Sequence, residues 1–173
     1  MSLICDRLES LTERFSEIKV FDDSTGLYNR EIFLKILDSE MKGSSRYHTD
    51  LALAFIRFNF DGANPDLNDL AKEGVLRDLG QSFTKAIRDC DTLGRFDHQT
   101  FALLMPHSSA ADAKRLCNRL RGFFEEKCEE AGGAGAMPLK LTFGLADFIG
   151  ETDKSGSDLL TRATALLESA AEI

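Results

Sequence analysis

Two short runs, Thr92 to Phe96 and Thr100 to Met105, are joined tightly around Asp97-His98, and Pro106 ends the second. This pattern predicts a β-hairpin. No other feature constrains the fold as much, because the hairpin imposes antiparallel pairing on any sheet that contains it. Upstream, Leu51 to Phe60 is a near-continuous apolar run, which predicts a central strand covered on both faces. Downstream, Leu139 to Phe148 predicts a further strand, with Gly144 marking a bulge or a close approach.

Helical patterns separate these strands. Arg30 to Lys42 turns Ile32, Phe33, Ile36 and Leu37 to the core, and Gly43 to Thr49 reads as a loop. After a break at Pro65, Leu67 to Arg88 turns Leu70, Val75, Leu76, Leu79, Phe83 and Ile87 inward. Ser109 and Asp112 cap a helix that runs to Cys128, Ala131 to Ala136 is a Gly/Ala loop, and Ser157 to Ala171 is a final helix. A strand, helix, hairpin, helix, strand order predicts an α/β (α+β) fold of ferredoxin-like type.

Ahead of this core, Ile4, Leu8, Leu11, Phe15 and Ile18 recur at alternating steps of four and three. That is a heptad seam too short to stand alone as a coiled coil. It predicts an N-terminal linker or signalling helix over residues 1–20, packed on its own domain or continuing a longer helix. The domain proper then occupies 21–173.

Composition excludes several classes. Hydrophobic residues make up 43% of the 173, enough for a core. No apolar run approaches the ~20 residues of a membrane helix, and Met-Ser-Leu-Ile-Cys-Asp-Arg is too short and charged for a signal peptide. A net charge of −8 argues against nucleic acid as a partner. Cys5, Cys90, Cys117 and Cys128 lack metal-type spacing and read as reduced thiols of a cytoplasmic protein. His48, His98 and His107 match no ligand pattern, so no metal site is expected.

Several blocks together carry a resemblance. Asp22-x-Ser24-Thr25-Gly26-Leu27-Tyr28-Asn29-Arg30 resembles the entry motif of the GGDEF (diguanylate cyclase) family, with Ser24 for Leu the departure. The strand ending Asn59-Phe60-Asp61, the hairpin, Leu141-Thr142-Phe143-Gly144 and Leu160-x-Arg162-Ala163 are similar to further family blocks. The resemblance implies a nucleotidyl-cyclase-like fold, with a central, mostly antiparallel five-stranded sheet surrounded by helices. It also implies condensation of GTP into cyclic di-GMP by an antiparallel pair of domains, with magnesium between carboxylates and the triphosphate.

The chain departs from that pattern where chemistry occurs. Asp97-His98-Gln99-Thr100-Phe101 stands in place of Gly-Gly-Asp/Glu-Glu-Phe. Asn59 matches the metal-binding Asp that closes the first core strand, and Gln99 matches the acidic third position of the motif. Magnesium prefers anionic oxygen ligands in strict geometry. The expectation is therefore a degenerate domain that is not an enzyme and holds no magnesium. Asn68-Asp69 is matched to a remnant of the family's guanine-reading pair.

A second family site is retained. Arg88-x-x-Asp91, just ahead of the hairpin motif, sits where the family has its inhibitory product site, and Arg119 matches another arginine of that site. Arginine forks suit phosphate and the guanine Hoogsteen edge, and an Asp accepts from guanine N1–H and its amino group. The expected function is a cyclic di-GMP-binding regulatory module in a bacterial cytoplasm, reporting to a neighbouring signalling domain or partner protein, with a homodimer as a further partner class. The second reading is a structural or protein-interaction (dimerisation) module that binds no nucleotide.

Overall fold

The computed structural model describes residues 19–60, 68–130 and 139–171. Nearly all of the expected N-terminal helix, including its whole heptad seam, and the Gly/Ala loop lie outside the described residues.

Helix α1 (Arg30–Tyr47) starts at an Asn29 cap, whose side chain accepts from the Ile32 amide at 2.9 Å. It ends at His48 in the left-handed region, with φ 53°, whose amide donates to the Ser44 carbonyl. The helix runs through Gly43, where the sequence suggested a loop. Phe33, Leu37, Met41 and Ser44 make one buried stripe, and burying its last two members outweighs the ~1 kcal/mol helix cost of a glycine.

Strand β1 (Leu51–Asn59) is followed by α2 (Asp69–Ala86), the hairpin β2 (Thr92–Arg95) and β3 (Thr100–Pro106), α3 (Ala110–Glu130), β4 (Lys140–Asp147) and α4 (Gly156–Ala171). The sheet order is β2-β3-β1-β4, and every pair is antiparallel. This is the ferredoxin-like α+β arrangement the hairpin required. The expected fifth strand is a correction: four are present among the described residues. Beyond β2 the chain makes only the single bridges Phe21 to Tyr28 and Tyr28 to Gly94, because Asn29 then caps α1 and turns the chain away.

The sheet is covered on both faces. Ala52, Ala54, Ile56 and Phe58 face Leu76, Leu79 and Phe83 of α2 and Ala113, Cys117, Leu120 and Phe124 of α3. Leu53, Phe55, Ala102 and Leu104 face Phe33, Leu37 and Met41 of α1 and Leu159, Ala163 and Leu167 of α4. Each large side chain fully buried here contributes roughly 1.5–3 kcal/mol. Gly144 is a close approach, as its position in a strand suggested: a Cβ there would meet the Ala163 carbonyl oxygen at 2.3 Å. Among the described residues no helix is long and apolar enough to cross a membrane.

Candidate functional site

The hairpin tip is built from local polar chemistry. Asp97 Oδ1 accepts from the Gln99 amide at 2.8 Å, and the Phe96 amide donates to the Thr100 carbonyl at 2.9 Å. Asp97 thus spends its carboxylate on shaping its own turn. Behind the tip lies Arg95, only 7% exposed. Its guanidinium makes paired bonds of 2.6 and 2.7 Å to Glu73 on α2, and it donates to the carbonyls of Asp97 and His98. Asp22 stands 3.7 Å away. The hydrogen bonds from Arg95 hold the Glu73 carboxyl below the usual carboxylate range. The sequence expectations missed this pair. The available signal was a cation inside an apolar strand run, since a buried charge needs a partner.

Phe60, Asp69, Lys72, Glu73, Leu76, His98 and Gln99 line a cleft of about 440 Å³ between the tip and α2. Asn68 is used as the cap of α2, its side chain accepting from the Ala71 amide at 2.9 Å. Asp69 pairs with Lys72 at 3.4 Å. Asn59 points across the sheet, its Nδ2 donating to Thr142 Oγ1 at 2.9 Å. Phe101 is buried edge-on against Phe58. Thr100 is buried, and its hydroxyl has no hydrogen-bond partner among the described residues.

As positioned, these side chains do not fit a magnesium ion. Asn59 and Gln99 offer neutral amides, Glu73 is engaged by Arg95, and Asp69 is engaged by Lys72. Among the described residues no three His, Cys, Asp or Glu side chains converge on a metal position.

The second candidate site is a cavity of about 320 Å³ between the end of α2 and α3, lined by Arg88, Asp91, Met105, Ser108, Asp112, Arg115, Leu116 and Arg119. The fold brings Arg88, Asp91 and Arg119 together, although Arg119 is far from the other two in sequence. The turn after α2 is held by Asp91 Oδ2, which accepts from the Arg88 amide at 2.9 Å. Arg119 reaches back from α3 and donates to the Ala86 carbonyl at 2.6 Å. Arg115 is paired with Asp112, which also accepts from Ser109. The other oxygen of Asp91, Oδ1, is buried with no hydrogen-bond partner among the described residues. Burial raises the Asp91 carboxyl above its ordinary range, opposed by the Arg88 amide and by the charges of Arg88 and Arg119.

Comparison with known proteins gives a consistent result. The family model described as "Diguanylate cyclase, GGDEF domain" matches residues 19–172. The diguanylate cyclase DgcP of Pseudomonas aeruginosa is 33% identical over 101 residues, which cover 58% of this chain and 15% of DgcP. The diguanylate cyclase SiaD of Pseudomonas aeruginosa, solved in complex with its activator SiaC, superposes with a TM-score of 0.77 at 24% identity, over 99% of this chain and 66% of that one. The GGDEF domain of DgcB from Caulobacter crescentus, solved in complex with c-di-GMP, gives 0.78 at 20% identity, over 89% of this chain and 91% of that one. At these identities the two structures show the shared fold. The chain spans less than half the length of the curated relatives it matches.

One expectation is overturned. The chain was expected not to be an enzyme, yet the matching family model is a diguanylate cyclase domain and DgcP is a diguanylate cyclase. The neutral amides at Asn59 and Gln99 do not take the chain out of that cyclase family.

Proposed function

The chain belongs to the GGDEF domain family, and from that premise we propose that it recognises cyclic di-GMP in the cavity between α2 and α3. The unpartnered, buried Oδ1 of Asp91 carries this reading. A carboxylate oxygen held out of water without a donor is costly, and the cost is removed by a ligand that supplies N–H groups. The guanine N1–H and amino group are such donors. Arg88, Arg115 and Arg119 on the same rim suit the ligand's phosphates and the guanine Hoogsteen edge. Arg88 has no side-chain hydrogen bond or ion pair among the described residues, so its fork is free to engage a ligand.

In this reading the ligand ties the end of α2 to α3 and passes that change to a neighbouring signalling domain, a partner protein or a second copy of the chain. Titration calorimetry with cyclic di-GMP tests it. Saturable binding is expected for the native protein, with a loss of about tenfold or more in affinity for Arg88→Ala, equivalent to ~1.4 kcal/mol. No heat with the native protein, or native affinity in the variant, ends the proposal.

A further inference from the structure

A cavity of about 470 Å³ opens between the second half of α1 and the loop that joins β4 to α4. Its volume lies in the ~300–1,000 Å³ range of small-molecule sites. It stands at the end of the sheet away from the hairpin tip. Phe148, on its wall, donates its amide to Leu51, the first residue of β1, whereas Gln99 of the tip accepts from Phe58 near the last. The cavity shares no lining residue with the site at Arg88 or the cleft at Gln99.

Asp153 is its fixed point. This residue lines the cavity and is only 3% exposed. Its Oδ2 accepts from the Ile149 amide at 2.8 Å and from the Arg162 guanidinium at 2.6 Å. Its Oδ1 is buried with no hydrogen-bond partner among the described residues. A carboxylate oxygen withheld from water is costly until a donor reaches it. Asp38 supplies a second carboxylate. It comes so close to α4 that a Cβ on Gly156, the first residue of that helix, would lie 2.8 Å from Asp38 Oδ1.

Lys42 and Arg46 follow Asp38 at steps of four along α1, and Lys154 adds a third cation from the loop. Asp38, Lys42 and Lys154 make no hydrogen bond or ion pair among the described residues, and Arg46 lies over the ring of its neighbour Tyr47. Opposite charges that line one cavity without neutralising each other leave both signs for a ligand. Three cations stand against two carboxylates, and Asp153 is already paired with Arg162. A ligand with one ammonium and two carboxylates balances that set: the ammonium has three N–H donors for the open oxygens, and the carboxylates suit the cations.

We propose that this cavity binds a free amino dicarboxylic acid of the L-glutamate or L-aspartate type, its ammonium donating to Asp153 and Asp38 and its carboxylates held by Lys42, Arg46 and Lys154. The site stands whether or not the cavity at Arg88 takes cyclic di-GMP.

The test is calorimetric titration of the full chain with L-glutamate, L-aspartate and glutarate (two carboxylates and no ammonium). Saturable binding of at least one amino acid is expected, roughly tenfold or more tighter than glutarate. Asp38→Asn and Lys42→Gln should each weaken it roughly tenfold, while Lys35→Gln, exposed on the first half of α1, should not. Asp153→Asn should weaken it as well. Should that variant fail to fold, because Asp153 also holds Arg162, the exposed Asp38 and Lys42 decide, with unchanged melting temperatures as their check. Absence of binding by both amino acids, glutarate binding as tightly as they do, or native affinity in either Asp38→Asn or Lys42→Gln overturns the proposal.

Discussion

Glu73 meets Arg95 through two near-parallel hydrogen bonds of 2.6 and 2.7 Å, and the same guanidinium holds the carbonyls of Asp97 and His98. One buried cation thus fastens the hairpin tip to α2. Removing its main counter-charge leaves Arg95 to Asp22 and two carbonyls. Glu73→Gln should cost about 2–3 kcal/mol, below the full range for a broken buried pair because Glu73 keeps some solvent contact. The lowered carboxyl also fixes a pH sign. Its stabilisation is present above the ordinary Glu range and is lost as pH falls through the lower folded value. Denaturant unfolding should show an acid limb that is flatter in the variant than in the native chain.

Asp91 has the opposite sign. Its carboxyl is raised by burial, so the folded chain holds that proton more tightly than the unfolded one, and this contribution to stability falls as pH rises through the window. The ionised form leaves both oxygens as acceptors, whereas protonation turns one of them into a donor. Affinity for cyclic di-GMP should therefore weaken as pH falls through the raised Asp91 value, with a proton released on binding there. Calorimetry in two buffers of different ionisation enthalpy should give different heats in that range and matching heats in mildly alkaline buffer.

Two glycines make a paired test of packing. At Gly144 a Cβ would lie 2.3 Å from the Ala163 carbonyl oxygen and 2.6 Å from the Leu167 amide nitrogen, both backbone atoms of α4. Gly144→Ala should destabilise by about 1–3 kcal/mol, the usual cost of overpacking a tight contact. At Gly122, inside α3, a Cβ meets nothing within 4 Å. Gly122→Ala should stabilise by roughly 0.5–1 kcal/mol through helix propensity alone. Thermal melts of the two variants should move in opposite directions.

The thiols should differ in reactivity. Cys117 is buried, and that burial pushes its thiol up to about 12, while Cys90 is exposed on the turn after α2. Thiolate is the reactive form. Alkylation followed by peptide mapping should label Cys90 first and Cys117 only on unfolding; early labelling of Cys117 would contradict its placement in the core.

Local periodicity carried much of the fold. The hairpin, the double-sided burial of β1 and the cap at Ser109 follow from short stretches whose chemistry is self-contained. The extension of α1 through Gly43 did not, because a glycine breaks the pattern while Met41 and Ser44 gain their value only against the rest of the core. At the candidate site, Arg88 and Asp91 lie in one turn and were legible together. The partners that complete other sites come from distant segments: Glu73 for Arg95, and Asp38 and Lys42 for the cavity at Asp153. Arg57 sits within a near-continuous apolar run, and its place at the edge of the covered face is set only by the alignment of three strands.

Helix α2 touches both candidate sites described above. Glu73 grips the hairpin tip near one end, and the Ala86 carbonyl receives Arg119 at the other, about 20 Å away at 1.5 Å per residue. A stiff strut anchored at two places cannot tilt at one without moving the other. The arginine-rimmed cavity and the seat of the hairpin tip thus share one helix as their common wall.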